Sequence, residues 1–289
     1  MSPSVFVFLL LGHAIGDFAW QSRDLADRKG REFGALMRHG ALVGAAHIVA
    51  LIPLWWLGGS QTWTWAWLLP AIVAAHLLVD AIKGAVDRRR GASLTTFFVD
   101  QGLHVACLAC AAGWAAPFSA LDLWWLRTDA LVTKTMYPSP PEHGFLVLRA
   151  VIAATAYLLC TLAGSAIVRL VLAGRQPPMP SGQPAQAATD TPADPPADEQ
   201  AVAQQQQQQQ TARMGHTIGV LERALGLSLV LLGAWAGLAG IIAAKSIARF
   251  KDLEDRPFGE YFLVGTLTSL LVTVAIGAAT TACLATLPS

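Results

Sequence analysis

The chain has 289 residues, 54% of them hydrophobic and only 13% charged, with a formal net charge of +1. That is too apolar and too poor in charge for a soluble domain, and the mean hydropathy of +0.47 points to a protein with several membrane spans. Lysines and arginines gather in short segments instead of covering one face, which excludes a nucleic-acid-binding surface.

A bilayer core takes about 20 apolar residues per helix. Seven runs qualify: residues 3–20, 36–57, 64–85, 94–116, 146–173, 224–248 and 260–287. The expected fold is all-α, a polytopic transmembrane helix bundle of about six to seven membrane segments. Residues 1–116 make a four-helix membrane domain, 117–174 a loop and the fifth span, 175–213 a linker, and 214–289 a C-terminal helical membrane region.

The first run has no basic stretch and no small-residue cleavage site ahead of Asp17, so it reads as a retained span and not a signal peptide. Arg23, Arg28, Lys29 and Arg31 follow it, Arg38 opens the second run, and Lys83 and Arg88 to Arg90 follow the third. The loop between the second and third runs, "GGSQTW", has no basic residue and is flanked by Trp55, Trp56, Trp63, Trp65 and Trp67. Basic short loops mark the cytoplasmic side and tryptophans the interface. The expected location is therefore a bacterial inner membrane, with the N-terminus outside and the loop at 117–145, including "LDLWWL", periplasmic.

Cys107 and Cys110 form a CxxC in the fourth run, but no second CxxC accompanies it, so both read as small apolar helix residues. The linker, rich in Pro, Ala and Asp and ending in Gln204 to Gln210, has the composition of a disordered cytoplasmic tether. Positive charge lies on both sides of the sixth run. The glycines of "GAWAGLAG" allow either a re-entrant hairpin over 218–249 or an ordinary crossing. Glu222, Arg223, Lys245 and Arg249 read as interface anchors around it.

Ionisable residues inside membrane segments are costly and mark functional sites by default. Three pairs stand out, each spaced by four: His13 with Asp17, His76 with Asp80, and Asp100 with His104. On a helix that spacing puts both side chains on one face. One pair alone is what a structural ion pair would give. Three, matched in spacing and falling with His39 at the cytoplasmic ends of antiparallel spans, point to one cavity in the bundle. Imidazole and carboxylate ligate first-row divalent metals, zinc among them, so His13, Asp17, His39, His76, Asp80, Asp100 and His104 are the candidate metal ligands. Gln21, His47, Lys83 and Gln101 are candidates for a supporting shell. Lys83 also reads as a snorkelling anchor and His47 as a buried hydrogen-bonding residue.

The series "LLLGHAIGDFAWQS", Arg38-His39, "AHLLVDAIK" and "FFVDQGLH" resembles a family of bacterial inner-membrane proteins known as domain of unknown function 3307, over residues 4 to about 115. The stretch "IGVLERALGLSLVLLGAWAGLAGIIAAKSIARFKDLED" with "EYFLVGTLTSLL" resembles the C-terminal half of longer members. That family brings no activity with it. A weaker similarity, to membrane-bound metal-dependent hydrolases, implies a metal at His13, Asp17, His76, Asp80, Asp100 and His104.

The expectation is an intramembrane metal-dependent hydrolase with a lipid-linked or phosphorylated substrate at the cytoplasmic leaflet, two metals sharing an aspartate being one arrangement of so many ligands. Two alternatives use the same residues: a transport protein for divalent metal or protons, and a non-enzymatic membrane scaffold. Membrane lipid is the expected partner.

Overall fold

The structure, a computed structural model, describes residues 2–56, 62–114, 142–173 and 197–287, and all regular structure among them is helical. The helices are α1 (Pro3–Ala14), α2 (Arg23–Lys29), α3 (Phe33–Trp56), α4 (Thr62–Arg90), α5 (Leu94–Trp114), α6 (Glu142–Leu158), α7 (Gly164–Leu172), α8 (Ala197–Leu231), α9 (Trp235–Ala248) and α10 (Arg256–Ala285). A wider π turn, Ile15–Ala19, extends α1, and another, Leu159–Ala163, joins α6 to α7.

Six helical stretches are long and apolar enough to cross a membrane: Phe33–Leu54, Ala66–Arg90, Leu94–Trp114, Gly144–Leu172, Met214–Leu231 and Arg256–Ala285. The first run makes a seventh if Pro3–Ala19 is counted with Arg23–Lys29, to which it is bent by 98°. This is a multi-pass helical membrane protein. Most of the expected loop at 58–63 and of that at 117–145 lies outside the described residues, as do the side chains of Trp55, Trp56, Trp63 and Trp65.

Local chemistry sets the helix ends. Ser2 caps α1, its Oγ accepting from the Val5 amide at 3.2 Å, and Pro3 fills the first turn, where no amide hydrogen is needed. Ser22 caps α2 in the same way through the Leu25 amide. Gly91, at φ +80°, ends α4, a conformation that other residues adopt only with strain. Ser93 and Thr96 then cap α5 reciprocally, each side chain accepting from the other's amide at 3.1 Å.

The chain forms two compact units, residues 1–159 with 279–289, and residues 160–278. The division falls inside the fifth span, not at the loops that bounded the sequence-based segments. In the first unit α1 packs on α3, α5 and α6, while α4 packs on α3 and α5. The four N-terminal spans thus close into a ring of antiparallel neighbours. Close approach is built in: a Cβ on Gly12 would stand 2.9 Å from the His47 Cα, and one on Gly16 3.1 Å from the Val43 Cα. At the end away from the basic loops, Phe8, Leu9, Leu51, Leu54, Ile72 and Leu108 belong to one buried apolar core.

In the second unit the sixth run does not form one continuous segment over 224–248. Helix α8 stops at Leu231, the chain turns through Gly233 at φ +69°, and α9 packs back on α8. Helix α9 has 14 residues, about 21 Å at 1.5 Å per residue, short of the ~30 Å of a bilayer core. Lys245 and Glu222, 2.5 Å apart, join the two arms of this hairpin. Helix α8 begins at Ala197, within the C-terminal part of the expected linker, where Ala, Glu and Gln are strong helix formers and no proline or glycine interrupts them before Gly215.

Arg223 is not an interface anchor: it is 4% exposed. Its Nη2 donates to the Thr161 carbonyl at 3.1 Å and to Ser165 Oγ, and its Nη1 to Ser269 Oγ at 3.5 Å. The Thr161 carbonyl, inside the π turn at 159–163, thus accepts from Arg223 and, at 2.7 Å, from Ser165 Oγ.

Candidate metal centre

The ring of α1, α3, α4 and α5 sets the ends of its helices against one another, and the residues there meet. Asp17 lies in the π turn, a widening that recurs at functional sites and that here precedes the 98° bend into α2. Asp17 Oδ1 stands 3.1 Å from His39 Nε2 and 3.0 Å from His76 Nε2, and those two nitrogens are 3.0 Å apart. The triangle is nearly equilateral. Asp17 Oδ1 is buried and faces these two nitrogens without a directed hydrogen bond to either.

A second triangle shares Asp17. His13, Asp17 and His104 offer ligand atoms within 4.8 Å of one another, with His13 Nε2 3.9 Å from Asp17 Oδ2 and the rings of His13 and His104 stacked at 5.0 Å. His104 Nδ1 donates to the Asp100 carbonyl at 2.9 Å, so its Nε2 keeps the lone pair. That nitrogen is buried and unpartnered, the tautomer and orientation a metal-ligating histidine needs.

Asp80 faces the same centre from α4. Its Oδ2 is 3.1 Å from His39 Nε2 and 3.5 Å from His76 Nε2, and it forms a third group with His76 and His104. Seven predicted residues therefore gather at one place, with His13, His39, His76, Asp80, Asp100 and His104 all buried. Asp100 stands at the margin: it belongs to none of the three groups, and its Oδ1 lies 3.6 Å from His104 Nδ1.

Among the supporting residues, Gln101 Oε1 lies 3.1 Å from His13 Nε2, and its amide donates to Asp17 Oδ2 at 3.4 Å and Asp100 Oδ2 at 3.1 Å, tying three site residues together. Lys83 pairs with Asp87 at 3.7 Å instead of with Asp80. His47 belongs to none of the three groups, and its Nδ1 donates to the Val43 carbonyl at 2.8 Å. Cys107 is half-buried and Cys110 exposed, and neither belongs to a metal-ligating group among the described residues.

Sequence reading missed Lys29, which it grouped with the topology-setting charges. The bend after α1 turns α2 back over the bundle, and Lys29 Nζ donates to both Asp80 oxygens at 2.9 Å and to Gln21 Oε1 at 3.1 Å, lying 3.2 Å from His39 Nε2. No spacing rule marks it, because the partners lie on other helices.

A helical membrane protein with a buried His/Asp centre at one end of a four-helix ring is the class that fold and site define. Residues 5–132 match the family model described as "Protein of unknown function (DUF3307)", the family that the N-terminal motifs resemble. The matched range takes in all seven centre residues and Lys29, and it stops short of the C-terminal stretch. No curated protein and no solved structure matches the chain.

Proposed function

We propose that this centre holds two divalent metal ions bridged by Asp17, and that the protein is a metal-dependent hydrolase of a lipid-linked or phosphorylated substrate at the cytoplasmic leaflet of a bacterial inner membrane. The observation that carries the reading is Asp17 itself, which presents Oδ1 to His39 and His76 and Oδ2 to His13. Ligands at ~2.0–2.1 Å in a tetrahedron stand ~3.3 Å apart. The Asp17–His39–His76 triangle, with sides of 3.0 to 3.1 Å, has the size of one face, and Asp80 Oδ2, 3.1 Å from His39 Nε2 and 3.5 Å from His76 Nε2, offers a further ligand beside it.

Bound there, paired metals supply a water activated near neutral pH and charge for the leaving oxygen. Asp100, outside the three ligand groups, is the carboxylate left to accept a proton, and Gln101 holds it in place. A transit site for metal or protons would need a route onward, but the apolar core of Phe8, Leu9, Leu51, Leu54 and Leu108 closes the far end of the ring. A purely structural pin would satisfy its buried polar atoms, whereas His104 Nε2 is left without a hydrogen-bond partner.

The test is elemental analysis of detergent-purified protein prepared without chelators, followed by a phosphate-release screen on lipid phosphates. About two equivalents of zinc or manganese and activity lost in Asp100→Asn are the expected result. Metal at background in the wild type overturns the reading.

A further inference from the structure

Lys29 is the one cation inside the cluster among the described residues, and it sits on the atoms a metal would use. His39 Nε2 has a single lone pair. It cannot accept from the Lys29 ammonium, 3.2 Å away, and bond a metal at once. The ammonium also spans both oxygens of Asp80, and its side chain is only 11% exposed.

The segment that carries it is short and packs on α3 and α4. Of α2 only Leu25 is buried. The other face makes exposed pairs within the segment, Arg28 with Asp24 and Glu32, in which Arg28 holds the Glu32 carboxyl below its ordinary value; these do not attach the helix to the bundle. The turn after α2 rests on α4, where Arg88 donates to the Gly30 carbonyl. Gly84 makes that seat possible, since a Cβ there would stand 2.8 Å from the Gly30 Cα.

We propose that Lys29 is a tethered cation that competes with the metal for His39 and Asp80, so that loading the centre expels the ammonium and frees α2. Resting on the metal reading above, this makes Lys29 the residue that sets the affinity of the centre and couples its occupancy to the surface of the protein. A charge-assisted contact made in the unloaded state weakens metal binding by whatever it stabilises that state.

Two measurements test it. Zinc titration of purified protein against a competing chelator should show Lys29→Met binding about tenfold tighter or more, Lys29→Arg no tighter, and Gly84→Val tighter, because its side chain lifts Gly30 without touching a ligand. In the wild type, acetylation of Lys29 Nζ, followed by peptide mass spectrometry with Lys251 as reference, should be slow without zinc and faster with it. Zinc bound equally by the wild type and Lys29→Met, or Lys29 still protected when zinc is bound, overturns the competition and leaves the metal reading standing. Zinc bound by none of the proteins overturns both.

Discussion

His39 Nε2 and His76 Nε2 stand 3.0 Å apart, on rings that are 0% and 4% exposed. Two imidazole nitrogens so close share either one hydrogen or one cation. If the cation is the resident, the ligands divide into two sets joined at Asp17. His39→Ala should lose one equivalent of metal, His104→Ala the other, and Asp17→Asn both. Elemental analysis of the three variants decides this. Equal losses in His39→Ala and His104→Ala down to background would mean a single shared ion.

Acid should empty the centre. An imidazole binds metal only as the neutral ring, so each histidine ligand exchanges a proton for the ion. Zinc affinity should therefore fall as pH is lowered from 8 to about 5.5, and zinc binding in a weakly buffered solution should release protons. Affinity independent of pH would rule out histidine ligation.

Legibility in the sequence followed locality. The pairs His13–Asp17, His76–Asp80 and Asp100–His104 were readable because four residues is a helical repeat, and their common depth because antiparallel spans alternate direction. Which carboxylate lies inside was not readable: Asp17 reaches the centre through a π turn that no spacing announces, and Asp100, with the same spacing to its histidine, stays at the margin. Lys29 depends on a 98° bend between two helices. Arg223 takes its partners from Thr161, Ser165 and Ser269, far away in the chain.

The glycines of α1 set how near Asp17 comes to α3. Gly16→Leu should push the π turn off Val43, lower the melting temperature in detergent by an amount equivalent to ~1–3 kcal/mol, and reduce bound metal. Gly102→Leu is the control, since a Cβ there meets nothing within 4 Å. Metal retained in full by Gly16→Leu would show that the centre tolerates separation of α1 from α3.

Arg223 offers a test of the second unit alone. Gly164 leaves it room, as a Cβ there would come within 3.1 Å of Arg223 Cδ, and the forked guanidinium reaches three oxygens on two other segments. Removing it takes a charged donor from the Thr161 carbonyl and from two hydroxyls. Arg223→Ala should cost about 3 kcal/mol, the scale of a charged hydrogen-bonding group lost from a buried site. Arg223→Lys should recover little of that, because a point charge cannot fork, while Arg223→Met should cost less than alanine by keeping the volume filled. All of these residues lie in the second unit, so metal content should be unchanged in every variant. Reversible unfolding in detergent measures the first effect and elemental analysis the second. An Arg223→Ala protein as stable as the wild type would show that the contacts to Thr161, Ser165 and Ser269 do not hold the π turn.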